Sequence, residues 1–242
     1  GAVGYFEPSY SLYPVLAAIE DVPVRPVPLP PDFSWTMPAG YAASLFFLTN
    51  PNAPTSRLFP RAAVEAFARG FPGVVLVDEA YVDFAGATCL DLALQWPNVL
   101  VARTLSKSYS LAGLRLGYAV GPAPLIEALH KIKDSYNVSL LTQQLAAAAL
   151  GDQAWMRGNV AKIVATRERV AGVLRSRGWS VFDSSTNFLF AKPPVGPARE
   201  RFEQLRARKI FVRYFPAPAT RDYLRITIGT EAEMDALLAA LG

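Results

Sequence analysis

Val74-Val75-Leu76-Val77-Asp78-Glu79-Ala80-Tyr81 runs four apolar residues straight into a polar cluster. A strand with one wet face alternates apolar and polar side chains, so an unbroken apolar run reads as a strand covered on both faces, the habit of parallel sheets. The pattern recurs at Val99-Leu100-Val101, which leads to Thr104-Leu105-Ser106-Lys107, and at residues 45–49, which lead to Asn50-Pro51-Asn52-Ala53-Pro54-Thr55-Ser56. Further strand-like runs fall at 2–6 and 116–120, and helical patterns at 9–19, 60–69 and 124–133 alternate with them. Such alternation predicts an α/β layered fold with a mostly parallel sheet. Ligands of open α/β sheets bind beyond the carboxyl ends of the strands, where the clusters at 50–55, 78–81 and 104–107 all fall.

From 153 to 177 the residues Met156, Val160, Ile163, Val164, Val170, Val173 and Leu174 recur at helical spacing, which predicts one long helix ended by Gly178. Beyond it, strands are expected at 179–182, 188–191, 211–215 and 223–228, with helices at 197–208 and 231–241. The organisation expected is a large, incomplete ligand-binding unit over residues 1–152. An interdomain helix and a small α+β unit follow over 153–242. Proline-rich stretches at 23–38 and 193–197 read as loops or connectors.

Composition narrows the function. The 242 residues are 52% apolar and 18% charged, which favours a packed globular chain. No apolar run approaches the roughly 20 residues of a membrane helix and no signal-peptide pattern opens the chain, so a cytoplasmic location is expected. One cysteine, Cys89, and one histidine, His130, leave no internal disulfide and no zinc or haem cluster, and both are assigned to packing. A net charge of +4 spread over scattered Lys and Arg gives no nucleic-acid footprint.

The polar clusters supply a lysine amine, a carboxylate, two hydroxyls and a guanidinium. Together they form the toolkit of a pyridoxal-phosphate enzyme. Lys107 would hold the cofactor aldehyde as an imine, and Asp78 would keep the pyridine nitrogen protonated so that the ring acts as an electron sink. Asp78 closes an apolar strand, where a carboxylate without a cationic partner is costly. Thr104, Ser106 and Arg115 suit the phosphate, the arginine through a planar fork that grips two oxygens. Glu79 is assigned to structure.

Thr104-Leu-Ser-Lys-Ser-Tyr-Ser-Leu-Ala-Gly-Leu-Arg-Leu-Gly117 resembles the cofactor-lysine segment of histidinol-phosphate aminotransferases. The likeness extends, in the family's order, through Tyr5-Phe-Glu-Pro-Ser-Tyr-Ser-Leu-Tyr13, Thr49-Asn-Pro-Asn-Ala-Pro-Thr55, Val77-Asp-Glu-Ala-Tyr81, Ser185-Thr-Asn-Phe188 and Leu224-Arg-Ile-Thr-Ile-Gly-Thr230. It implies the type I aminotransferase fold, a homodimer, and small amino-acid and oxo-acid substrates carrying a phosphate. By the same resemblance Tyr10 stacks on the cofactor ring and Tyr81 bonds its ring oxygen. Arg225 takes the substrate α-carboxylate with Asn187 orienting it, and Arg213 helps hold the substrate phosphate. Ala53 stands where the family pattern has asparagine, so either Asn52, one residue upstream, takes over that contact or the contact is absent, and Ser56 replaces a glycine. Each residue also has a plainer reading: a solvated lysine or arginine, a helix cap, a core aromatic, a turn rich in Asn and Pro.

The family also carries an upstream arm, a first strand and a glycine-rich turn, so the chain is expected to be a fragment or truncated product. Three readings follow: transamination between glutamate and imidazole acetol phosphate, a threonine-phosphate decarboxylase that uses the same half-site, and a remnant without activity.

Overall fold

The computed structural model describes residues 1–242. In chain order the elements are β1 (Val3–Glu7), α1 (Leu12–Ile19), β2 (Val24–Pro28), β3 (Leu45–Thr49), α2 (Arg61–Gly70), β4 (Val74–Asp78), α3 (Leu92–Gln95), β5 (Val99–Thr104), β6 (Gly117–Val120), α4 (Ala123–Ile132), α5 (Leu140–Gly151) and α6 (Gln153–Ser176). After them come β7 (Ser180–Val181), β8 (Phe188–Lys192), α7 (Ala198–Ala207), β9 (Arg213–Tyr214), β10 (Leu224–Thr227) and α8 (Glu231–Leu241). Strands β1 to β6 form one sheet in the order β2-β1-β3-β4-β5-β6, parallel except for the antiparallel β6. The other sheet, β7-β8-β10-β9, is antiparallel throughout.

Each sheet packs its own core. In the first, Phe6 meets Trp35, Phe46 and Phe59 at ring separations of 5.1–5.2 Å, beneath Val75, Val77, Val99 and Val101. In the second, Val170 and Leu174 of α6 and Leu237 and Leu238 of α8 cover Leu189, Leu224 and Ile226. Helix α8 starts at a reciprocal cap, Thr230 accepting from the Glu233 N–H while the Glu233 carboxylate accepts from the Thr230 N–H. Gly178, at φ +82°, turns the chain out of α6, a conformation that disfavours any side chain.

The connector expected at 23–38 is corrected in two places. Residues Val24–Pro28 form an edge strand beside β1. Just beyond its end, the N–H of odd-numbered Leu29 donates to Glu7 O at 2.8 Å, so the even-numbered Pro26 and Pro28 fall on the open side, where a missing donor is harmless. Farther on, Phe33 is buried edge-on against Phe182, Phe190 and Tyr223, and so stitches the first sheet's connector to the second sheet. Arg167 makes a second stitch, donating from α6 to Thr186 O at 2.8 Å and Phe84 O at 3.3 Å. Helix α5 has no counterpart in the sequence reading. No helix is long and apolar enough to cross a membrane.

Candidate active site

The parallel strands deliver their carboxyl ends to one rim. Thr49, Asp78 and Ala102 are register partners across β3, β4 and β5, so the segments that follow them lie side by side. Asp78 is held by two donors: the Ala80 N–H at 3.0 Å on Oδ1 and the Tyr13 hydroxyl at 2.8 Å on Oδ2. It forms no salt bridge, and burial raises its pKa above the usual carboxylate value, against the opposing pull of Tyr13, Ala80 and Lys107. Next to it Glu79 turns the other way and is spent on structure. Its carboxylate accepts from Arg103 Nε and Nη2 at 2.9 and 2.8 Å, from the Thr88 hydroxyl at 2.8 Å and from the Cys89 N–H.

Lys107 follows β5 and sets Nζ 5.3 Å from the centroid of the Tyr81 ring. Tyr81 in turn packs edge-on against Phe188 of β8 at 5.2 Å, and burial raises its phenol pKa. Arg225 of β10 lies over the other neighbours of this strip, 5.1 Å from the Phe188 ring and 5.5 Å from Phe215. Its Nε is buried without a hydrogen-bond partner, and burial lowers its pKa. Arg213 of β9 is the direct cross-strand partner of Arg225 and also lies 5.5 Å from Phe215. Like charges placed opposite each other on a sheet repel. Two guanidiniums, one with an orphaned buried donor, sit side by side on the second sheet, with Arg225 near enough to Tyr81 to act on its phenol.

The remaining residues singled out by sequence divide. Tyr10 is half-exposed and meets Tyr13 edge-on at 5.7 Å, leaving a ring open at the rim. Thr104 and Ser106 pair through their hydroxyls at 2.8 Å. Thr104 also donates to Leu116 O at 3.3 Å, which brings the segment after Arg115 alongside. The Arg115 guanidinium itself is turned to Ala112 O at 2.8 Å, on a residue at φ +53°. Asn187 leads into β8 and is half-buried, its carbonyl accepting from the Ile228 N–H at 2.9 Å.

Asn52 does not face the site. It is fully buried, its amide donates to Pro8 O and Thr55 Oγ1 at 3.0 and 2.9 Å, and its carbonyl accepts from Ser9 at 3.0 Å. All its polar capacity ties the loops after β1 and β3 together, so the expected ligand contact is corrected to a structural one. Ser56 sits at φ +65°, the left-handed region that explains a glycine preference there.

Sequence reasoning passed over Tyr13. Its ring is buried flat against Phe47 at 4.5 Å, and its hydroxyl joins Thr49 Oγ1 at 2.5 Å to Asp78. The signal available was its place three residues after Tyr10, within the helical pattern expected at 9–19.

Comparison with known proteins follows this geometry. The chain is 45% identical to the histidinol-phosphate aminotransferase of Syntrophotalea carbinolica over 242 residues, which cover 99% of this chain and 69% of that protein. It superposes with TM-score 0.88 and 27% identity on the histidinol-phosphate aminotransferase of Sinorhizobium meliloti solved in complex with pyridoxal-5'-phosphate, covering 100% of this chain and 69% of that one. The L-threonine-O-3-phosphate decarboxylase of Porphyromonas gingivalis shares the fold, with TM-score 0.84 and 20% identity over 99% of this chain and 75% of that one. Residues 2–241 match the model of aminotransferase class I and II, and the chain belongs to that family.

Proposed function

We propose that the chain is a pyridoxal-phosphate-dependent aminotransferase acting on a phosphorylated amino alcohol, transferring the amino group between histidinol phosphate and 2-oxoglutarate. One observation carries the reading. The rim joins a buried carboxylate that lacks a cation, Asp78, to a lysine, Lys107, and across Tyr81 and Phe188 to a guanidinium with an orphaned donor, Arg225. Identity of 45% to the Syntrophotalea enzyme supports the substrate pair.

The donor set fits the cofactor. Asp78 would face the ring nitrogen, supplying the anion that a pyridinium needs and receiving the cation that its burial demands. Tyr10 would cover one face of the ring, Tyr81 would donate to its ring oxygen, and Thr104, Ser106 and Arg115 would hold the phosphate once the guanidinium leaves Ala112 O. When bound, the cofactor supplies the electron sink that acidifies the substrate α-carbon. Lys107, within reach of the Tyr81 ring, anchors the cofactor and afterwards moves the proton at the α-carbon. Arg225 takes the α-carboxylate of glutamate or 2-oxoglutarate in a bidentate grip steadied by Asn187, and when histidinol phosphate occupies the site Arg213 helps hold its phosphate. The flanking Phe188 and Phe215 rings and the buried Nε limit the water that competes for that grip.

In the same reading residues 1–152 form the cofactor unit and 153–242 the substrate-gripping unit. The chain works as a cytoplasmic homodimer, which is supported by exposed apolar side chains at Ile132, Tyr136, Leu140 and Leu141.

The test is the visible spectrum of the purified chain titrated with pyridoxal phosphate, with Lys107→Ala as control. The reading expects a bound-cofactor band that the substitution removes, followed by amino transfer from glutamate. No band at any cofactor concentration, or carbon dioxide release without use of an oxo-acid, overturns it.

A further inference from the structure

We infer that Tyr13 is a positioning residue for Asp78 and the working end of a hydroxyl chain, Ser9-Thr49-Tyr13, whose polarity reverses with the charge on that carboxyl. The inference rests on the proposed role of Asp78 as the ring-nitrogen partner.

The chain is continuous. Ser9 Oγ lies 3.0 Å from Asn52 Oδ1 and 3.1 Å from Thr49 Oγ1, Thr49 Oγ1 lies 2.5 Å from the Tyr13 oxygen, and that oxygen lies 2.8 Å from Asp78 Oδ2. The contacts link segments 36 to 65 residues apart in sequence, so they are a product of the fold and not of local turns. Each hydroxyl has one hydrogen to give and can accept as well. With Asp78 ionised, the carboxylate only accepts, so Tyr13 donates to Asp78, Thr49 donates to Tyr13 and Ser9 donates to Thr49. With Asp78 protonated on Oδ2 every bond turns round. Asp78 donates to Tyr13, Tyr13 to Thr49, Thr49 to Ser9, and Ser9 to Asn52 Oδ1. That last oxygen is fixed as an acceptor, because both hydrogens of the Asn52 amide are taken by Pro8 O and Thr55 Oγ1. The fully bonded chain thus serves the neutral carboxyl, and the reversed chain serves the anion. Asp78 can change charge as a cationic partner arrives without leaving a buried hydroxyl stranded.

Geometry keeps Tyr13 at this task. Its ring is 3% exposed and stacked on Phe47 at an interplanar angle of 1°, so its oxygen has no second place to go. Facing Asp78 are also Lys107 from the segment after β5, Glu79 and Tyr81 from its own segment, while Tyr10 faces Tyr13 from the turn just before α1. Of these the lysine favours the anion and Glu79 opposes it.

The experiment is a 13C NMR titration of the Asp78 side-chain carboxyl in the ligand-free chain, which needs no cofactor. Hydrogen bonds to charged groups contribute about 1.5–3 kcal/mol, so Tyr13→Phe should raise the midpoint by about 1–2 pH units. Thr49→Val should raise it less and Thr49→Ser should leave it at the parent value. In parallel, Tyr13→Phe should weaken pyridoxal phosphate binding about tenfold, and the loss should vanish in an Asp78→Asn background. An unmoved midpoint in a folded Tyr13→Phe chain overturns the inference. If that variant does not fold, the Thr49 pair decides, and equal midpoints for Val and Ser overturn it. A parent chain that binds no cofactor refutes the proposed function instead, and leaves the titration to judge the relay alone.

Discussion

Replacing Arg225 by methionine should stabilise the ligand-free chain while abolishing the carboxylate grip proposed for it. The guanidinium costs the fold something in this state. Its buried Nε has no partner, worth about 1–3 kcal/mol, and Arg213 opposite adds about 0.5 kcal/mol of repulsion. Against this stand the contacts with Phe188 and Phe215, about 0.5–1 kcal/mol each, of which methionine recovers a part through its polarizable thioether. The balance is about 1 kcal/mol in favour of methionine, or a rise of about 2–4 °C in Tm for a chain of this size. Urea unfolding followed by circular dichroism and by Trp179 fluorescence reads it, since Trp179 belongs to the second core. Loss of a buried charge partner for the α-carboxylate costs about 2–5 kcal/mol, so kcat/KM should fall roughly 30-fold to several thousand-fold. Phosphate, added as a simple anion, should raise the midpoint of the parent more than that of the variant. A variant that unfolds at lower urea than the parent refutes the view that Arg225 is held for a ligand and not for the fold.

The Asp78 carboxyl should leave its mark on pH dependence. Its folded pKa lies above the unfolded one, so the stability linked to it is complete below the ordinary carboxylate range and is lost as pH rises through the raised value. Thermal midpoints of the parent and Asp78→Asn should therefore converge near pH 3 and separate toward neutrality with the variant higher; parallel curves would contradict the burial argument. Glu79→Ala should behave oppositely, since it strands Arg103, the Thr88 hydroxyl and the Cys89 N–H. Breaking a buried pair costs about 3–5 kcal/mol, and the 20% exposure of the Arg103 side chain places the loss near the lower end, with Glu79→Leu/Arg103→Met recovering most of it in the same urea assay.

Much of this molecule can be read from its sequence, and the gaps have physical causes. Strands such as β4 and β5 announce themselves because both faces are covered, and polar residues directly after them mark the rim that holds Asp78, Tyr81 and Lys107. Strand β2 was hidden because prolines tolerated on an open edge look identical to prolines in a loop. Helix α5 carries Ala146 to Ala149 and little amphipathic pattern, so periodicity had nothing to grip. Asn52 was mistaken for a ligand contact because composition cannot tell which way an amide points. Tyr13 and Arg167 were passed over for the converse reason: an aromatic on a helix reads as packing and an arginine on a polar helix face reads as solvated, until the partner 65 or 83 residues away is known.

The near-sequential strand order carries a consequence for how the chain acquires its shape. From β3 through β4 and β5 to β6 each new strand joins the one just made, so that part of the large sheet can grow by successive connections between neighbouring strands. The rim cannot. It is complete only when Phe188 of β8 and Arg225 of β10, from the other sheet, lie against Tyr81. The last contacts to form on the way in are also the first to loosen in native fluctuations, so hydrogen exchange should reach the Tyr81, Phe188 and Arg225 segments well before it reaches Val75, Val77 and Val101.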